Sequence, residues 1–113
     1  CIDDKNNIEL LKKLKVKNYY TYGTNPKSQF YIKNIKQVKE FSQFDLSIKL
    51  PGKKDVSINK IQIPLLGIHN IRNSTAATAV ASTIGISSTI IKKGLQEFKV
   101  CKEDLIKYSL IVK

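Results

Sequence analysis

At Gly67 the apolar residues of this chain change their period, and that change decides what it can fold into. Upstream, Phe44, Leu46, Ile48 and Leu50 alternate with Asp45, Ser47 and Lys49, the two-residue repeat of a strand with one buried face. The turn PGKKD follows, and VSINKIQIPLL returns as another strand. Its alternation slips phase between Ile58 and Ile61, which predicts a bulge or twist there. Gln29 to Val38 is strand-like but polar. Three consecutive strands on short loops give an antiparallel meander with one wet face. Downstream of Gly67, Asn73, Ala77, Val80, Ala81 and Ile84 fall on one helical face, and Gly85 is placed to stop the helix. SSTIIKKGLQEF predicts a second helix, with a serine cap and an Ile91, Leu95, Phe98 stripe. Gly94 inside it costs about 1 kcal/mol relative to alanine.

The beginning of the chain is helical again. DDKNNIELLKKLKV predicts a short amphipathic helix capped by Asp3 or Asp4, with Ile8, Leu11 and Leu14 at helical spacing and an end near Val16. NYYTYG predicts a buried or half-buried strand closed by Gly23, and TNPKS a loop. The opening CIDD reads as the end of a strand. A length of 113 residues suits about one domain.

Charge is the obvious functional clue, and it misleads. The net charge of +11 invites a nucleic-acid or anionic-membrane partner. Of the twenty basic residues, however, only Arg72 is arginine, the side chain whose planar fork suits phosphate and guanine. The lysines are spread along the chain beside abundant Asn and Ile, the mixture that A/T-rich codons produce. A solvated lysine surface is therefore expected, with no nucleic-acid partner. No apolar run is long enough to span a membrane, and no membrane partner is expected. Cys1 and Cys101 stand at opposite ends with no CxxC and a single His, which argues against zinc and suits reduced, cytoplasmic thiols.

The chemistry-bearing stretch is GIHNIRNSTAATAVA, from Gly67 to Ala81. Asn70 and Asn73 stand three residues apart at a helix start, so their side chains emerge on one side. A carboxamide offers a donor and an acceptor together, which matches the N6 donor and N7 acceptor of adenine. The alanine-rich body lets that helix approach its neighbours, and Gly67 lets the backbone turn sharply into it.

The longer pattern IPLLGIHNIRNSTAATAVASTIGI, followed by a helix ending in LQEF, resembles the G-x-H-N-x-x-N-x-x-A-A-x-A-x-A passage of the Mur ligases. These are ATP-dependent enzymes that add amino acids to the peptidoglycan precursor. CIDD, ELLKKL and YYTYG are similar to the stretch after the central strands in the branch that joins L-alanine to UDP-N-acetylmuramate. The meander takes the place of that branch's small antiparallel insert. The resemblance covers about residues 1–100 and is most specific from Gly67 to Gly85.

What the resemblance implies is an α/β fold, part of a Mur-ligase central domain. An N-terminal helix, short strands and a three-stranded antiparallel meander would precede two packed helices. Residues 1–100 would be the C-terminal part of that ATP-binding domain. His69, Asn70 and Asn73 fall on the positions that line the adenine pocket, with Asn73 in direct contact, and Gly67 falls on the motif's turn. Arg72 occupies a variable position and is given no role. The implied cofactors are ATP and Mg2+, and the other reactants UDP-N-acetylmuramate and L-alanine. The implied reaction activates a carboxylate as an acyl phosphate, which an amine then attacks to form the amide.

The family's glycine-rich phosphate loop and magnesium ligands lie upstream, and no G-x-x-x-x-G-K-[ST] occurs in these residues. No catalytic or metal-binding residue is therefore assigned, and the piece is expected to be inactive alone. Asp3/Asp4 and Glu103/Asp104 read as caps and surface charge before metal ligands. The alternatives are a Mur ligase that recycles murein peptides, or a small lysine-rich nucleic-acid-binding module.

Residues 101–113 depart from the resemblance. The family continues with a basic-aromatic segment of the form G-V-K-R-R-F, whereas this chain reads FKVCKEDLIKYS. Written in A/T-rich codons with one added A, Lys102 to Tyr108 becomes K-R-R-F-N-K-I, so the tail is expected to be out of frame. Sequencing the gene checks this: Lys102 and Glu103 should be encoded by an A-rich run, and an interrupted run removes the shift.

Overall fold

A computed structural model describes residues 1–14 and 19–98. The expected helix end near Val16, the Cys101 thiol and the tail 101–113 lie outside the described residues. In chain order the elements are α1 (Lys5–Leu14), β1 (Tyr22–Gly23), β2 (Phe30–Val38), β3 (Phe41–Ile48), β4 (Val56–Ile63), α2 (Ile68–Thr83) and α3 (Ser88–Gln96). The strands form one sheet in the order β1-β2-β3-β4. β1 runs parallel to β2, and β2, β3 and β4 make the expected antiparallel meander.

Alternation in the sequence becomes the core directly. Phe30 and Ile32 of β2, Phe44, Leu46 and Ile48 of β3, and Ile58, Ile61 and Ile63 of β4 are all buried on one face. α2 covers that face with Ile71 and Ala79, and α3 packs Leu95 against it. Each large apolar side chain so buried contributes roughly 1.5–3 kcal/mol. The opposite face carries half-buried polar residues such as Gln43, Asp45 and Ser47.

The phase slip in β4 is a bulge. Phe44 pairs with Ile61 and Leu46 with Ile58, so Asn59 and Lys60 together oppose Asp45, and Lys60 has a φ of 55°. A second bulge, unannounced by any pattern, lies in β2, where Asn34 and Ile35 oppose Phe44 and Asn34 also has a φ of 55°. One carboxylate serves both. Asp45 accepts the side-chain amide of Asn34 at 2.8 Å and the backbone N–H of Lys60 at 2.8 Å.

Two expectations are corrected by the structure. The strand expected over NYYTYG is only Tyr22–Gly23, and Tyr19 and Tyr20 are exposed. The physical reason is a side-chain substitution for the ladder: Gln29 Oε1 accepts the Thr21 N–H, and Thr21 Oγ1 accepts the Gln29 N–H, each at 2.9 Å. The face Asn73–Ala77–Val80–Ala81–Ile84 of α2 is not its core stripe, since Val80 and Ile84 are 64% and 71% exposed. The buried stripe is Ile71, Thr75, Thr78 and Ala79. Thr75 and Thr78 tolerate burial because their hydroxyls donate to the Ile71 and Ser74 carbonyls at 2.8 Å.

The helix boundaries follow local chemistry. Asp4 caps α1 by accepting the Asn6 N–H at 2.9 Å, which settles the choice between Asp3 and Asp4. No α1 side chain is fully buried. α2 ends as expected at Gly85, where the Gly85 N–H donates to Ser82 and the Ile86 N–H to Ala81. Ser87 caps α3 through the Ile90 N–H.

The Asn34 amide, then the Lys60 N–H, hold the Asp45 carboxyl below the usual carboxylate range despite slight burial, with Lys33 and Lys36 adding to the effect. A lowered folded value stabilises the fold above the unfolded value of about 3.9. That contribution disappears as the pH falls through the folded value. Asp45→Ala is expected to cost about 1 kcal/mol at neutral pH, given its exposure, and less in acid. Urea titrations at neutral and acid pH read both.

Candidate functional site

The end of β4 and the head of α2 build one wall of a slot. Ser42, fully buried on β3, donates its hydroxyl to the Leu65 carbonyl at 2.7 Å and fixes the chain that leaves the sheet. Gly67 is the N-cap of α2 with a φ of 100°, the sharp entry the sequence implied, and no side chain caps the helix there. The first turn instead closes on the Gly67 carbonyl, which accepts from the Asn70 and Ile71 N–H groups. Asn70 folds back to donate its side-chain amide to the Leu66 carbonyl at 2.8 Å.

The opposite wall comes from α3. The connection from Gly85 to Ser87 brings the chain back, so Leu95 and Phe98 face the head of α2. Between the walls lies a cavity of about 380 Å³, lined by Ile63, Leu65, Asn70, Asn73, Ser74, Ala77, Leu95 and Phe98. That volume is within the range of small-molecule sites, roughly 300–1,000 Å³. Asn70 and Asn73 line the same cavity; His69 is exposed and is not among its lining residues.

The two carboxamides are in different states. With its NH2 on Leu66, Asn70 keeps its oxygen for another partner. Asn73 makes no side-chain hydrogen bond among the described residues, where both its donor and its acceptor face the cavity without a partner. An apolar slot with two such groups at one end suits a flat heteroaromatic ring with paired polar atoms on an edge. Leu65, Leu95 and Phe98 complete it, of which only Leu95 and Phe98 had a sequence signal, the stripe of α3.

Behind the slot is a second polar cluster that sequence reasoning left unassigned. Asp3, its side chain only 9% exposed, receives the Arg72 Nε–H at 3.2 Å. It also accepts the N–H of Thr24 at 2.9 Å and of Asn25 at 3.1 Å. Burial pushes this carboxyl up, but the Thr24 and Asn25 donors and the Arg72 guanidinium outweigh it and leave it below its usual value. The available signal was the lone arginine among twenty basic residues. Among the described residues no three His, Cys, Asp or Glu side chains gather as metal ligands. No helix among them is long and apolar enough to cross a membrane.

These elements define a mixed α/β domain whose helices, packed on one face of an antiparallel meander, leave a ligand-sized slot at one end. Residues 1–81 match the Mur ligase middle domain, and the chain belongs to that family. It is 77% identical over 99 residues to a UDP-N-acetylmuramate–L-alanine ligase of Pelagibacter ubique, covering 88% of this chain and 21% of the relative. It is 34% identical over 98 residues to the ligase of the same name from Brucella ovis, covering 87% of this chain and 21% of that relative. Among solved structures, MurF from Acinetobacter baumannii superposes with a TM-score of 0.66 at 23% identity, covering 87% of this chain and 20% of that one. The chain thus spans about a fifth of the length of the relatives it matches.

Gly23 ties the cluster to the sheet. It has a φ of 152°, and a Cβ there would overlap the Asp3 carboxylate. Gly23→Ala is expected to lower stability by roughly 1–3 kcal/mol, the cost of a strained backbone combined with displacement of Asp3. Thermal unfolding checks it.

Proposed function

We propose that this chain supplies part of the ATP-binding domain of a ligase that joins L-alanine to UDP-N-acetylmuramate, and that its slot holds the adenine of ATP. The observation that carries the reading is the Asn73 carboxamide, with no side-chain hydrogen bond among the described residues, at the mouth of an apolar cavity. Its donor and acceptor match the N7 and N6 positions of adenine. Asn70, steadied by Leu66, offers its carbonyl oxygen beside it. Leu95 and Phe98 cover the ring faces, and the 51% exposure of Phe98 leaves aromatic surface for a base to bury.

The L-alanine-adding branch is supported by the 77% identity with the Pelagibacter ligase, far above the 23% shared with MurF. ATP supplies the phosphoryl group that activates the sugar-nucleotide carboxylate. The residues of this chain bind and orient the base. Phosphates and Mg2+ belong to parts of the ligase beyond these residues, so activity requires the remainder of the enzyme.

The test uses a full-length ligase in which residues 1–98 of this chain replace the corresponding segment of the Pelagibacter relative. It should form UDP-N-acetylmuramoyl-L-alanine with ATP. Asn73→Ala should raise KM for ATP roughly tenfold, within the 1–3 kcal/mol of a bidentate carboxamide–base pair. KM for UDP-N-acetylmuramate should stay within about twofold. Equal losses for both substrates would remove Asn73 from the adenine site.

A further inference from the structure

Successive residues of a helix point about 100° apart, and the first turn of α2 uses that spacing to address three surroundings. Ile71 is fully buried against the sheet. Arg72 reaches one flank, where Asp3 receives its Nε–H. Asn73, with Asn70 one turn before it, lines the slot on the other flank. The buried stripe of Ile71, Thr75 and Thr78 sets the coarse roll of α2 against the sheet. In the first turn Gly67 brings no side-chain cap, and the Asn70 bond to the Leu66 carbonyl lies on the slot side. A restraint on the flank opposite Asn73 is what narrows the remaining roll of that turn.

Asp3 is built to be that restraint. Its carboxylate is held by the N–H groups of Thr24 and Asn25, just after β1, so it is fixed to the sheet before Arg72 arrives. The chain beside it is fixed too, since the Ile2 N–H donates to the Tyr22 carbonyl at 2.9 Å. The carboxylate occupies the space that a Cβ at position 23 would need, so the glycine is what lets it sit against the strand. Arg72 is therefore tied to a rigid acceptor and not to a mobile surface charge.

We infer that Arg72 is a positioning residue, which through Asp3 narrows the roll of the first turn of α2 and so aims the Asn73 and Asn70 carboxamides into the slot. The inference rests on the adenine reading for its functional consequence. Asp3→Asn acts on the same link from the other side, while the Thr24 and Asn25 N–H groups keep an acceptor oxygen. Arg72→Lys retains a cation of similar reach.

The experiment is steady-state kinetics on the full-length ligase carrying these residues, with folding followed by thermal unfolding. R72M should raise KM for ATP by about three- to tenfold, as expected for a misaimed contact, and leave KM for UDP-N-acetylmuramate within twofold. R72K should recover most of the loss. In an N73A background R72M should add less than twofold, because its effect passes through Asn73. If N73A raises KM for ATP and folded R72M does not, the positioning role is wrong while the adenine site stands. If N73A itself changes nothing, the adenine reading fails first. Equal increases in both KM values, or unfolding of both R72M and R72K, would show that the pair only maintains the fold and would overturn the inference.

Discussion

Burial of one face of the β2–β3–β4 meander under α2 and α3 is the constraint from which the slot follows. Ile71, Thr75 and Thr78 seat α2, and Leu95 packs α3 against the core. The two helices form a hairpin across the Gly85–Ser87 connection, so the head of one stands beside the end of the other. At that end Ile63 and Leu65 line the floor of the slot, with carboxamides on one side and Phe98 on the other. The cavity is a consequence of how two helices of unequal length cover a short sheet.

Several polar groups inside this arrangement are satisfied locally, whereas the buried Ser28 hydroxyl has no partner among the described residues. The Thr75 and Thr78 hydroxyls bond to their own helix, Ser42 holds the Leu65 carbonyl, and Asp45 stitches two bulges from the wet face. Asp3 is the exception in reach, joining the N-terminal segment, the loop after β1 and α2. Among the described residues no lysine side chain donates any of these hydrogen bonds; Lys60 contributes only its backbone N–H. Asp3–Arg72 is the sole salt bridge among the described residues, and it uses the one arginine.

Much of this was legible in the sequence where hydrophobic periodicity carried it. The alternation of Phe44, Leu46 and Ile48 gave β3, and the three-residue step from Ile58 to Ile61 gave the bulge now seen at Lys60. The bulge at Asn34 had no such trace, because the far half of β2 is polar and has no buried phase to lose. Threonines forming the core stripe of α2 were passed over because only their back-bonded state makes them act as apolar residues. The shared side of Asn70 and Asn73 followed from spacing alone. The partner of Arg72 did not, since Asp3 is 69 residues away in the chain and the pattern itself treats position 72 as free.

Membership in the Mur ligase middle-domain family and the slot geometry are the two grounds for proposing a nucleotide base between α2 and α3. The most direct measurement is photolabelling of the full-length ligase carrying these residues with an 8-azidoadenine nucleotide, followed by peptide mapping. The label should fall within residues 63–77 or at Leu95–Phe98, and ATP should protect against it. Labelling confined to other segments under ATP protection would contradict the assignment of this slot to adenine.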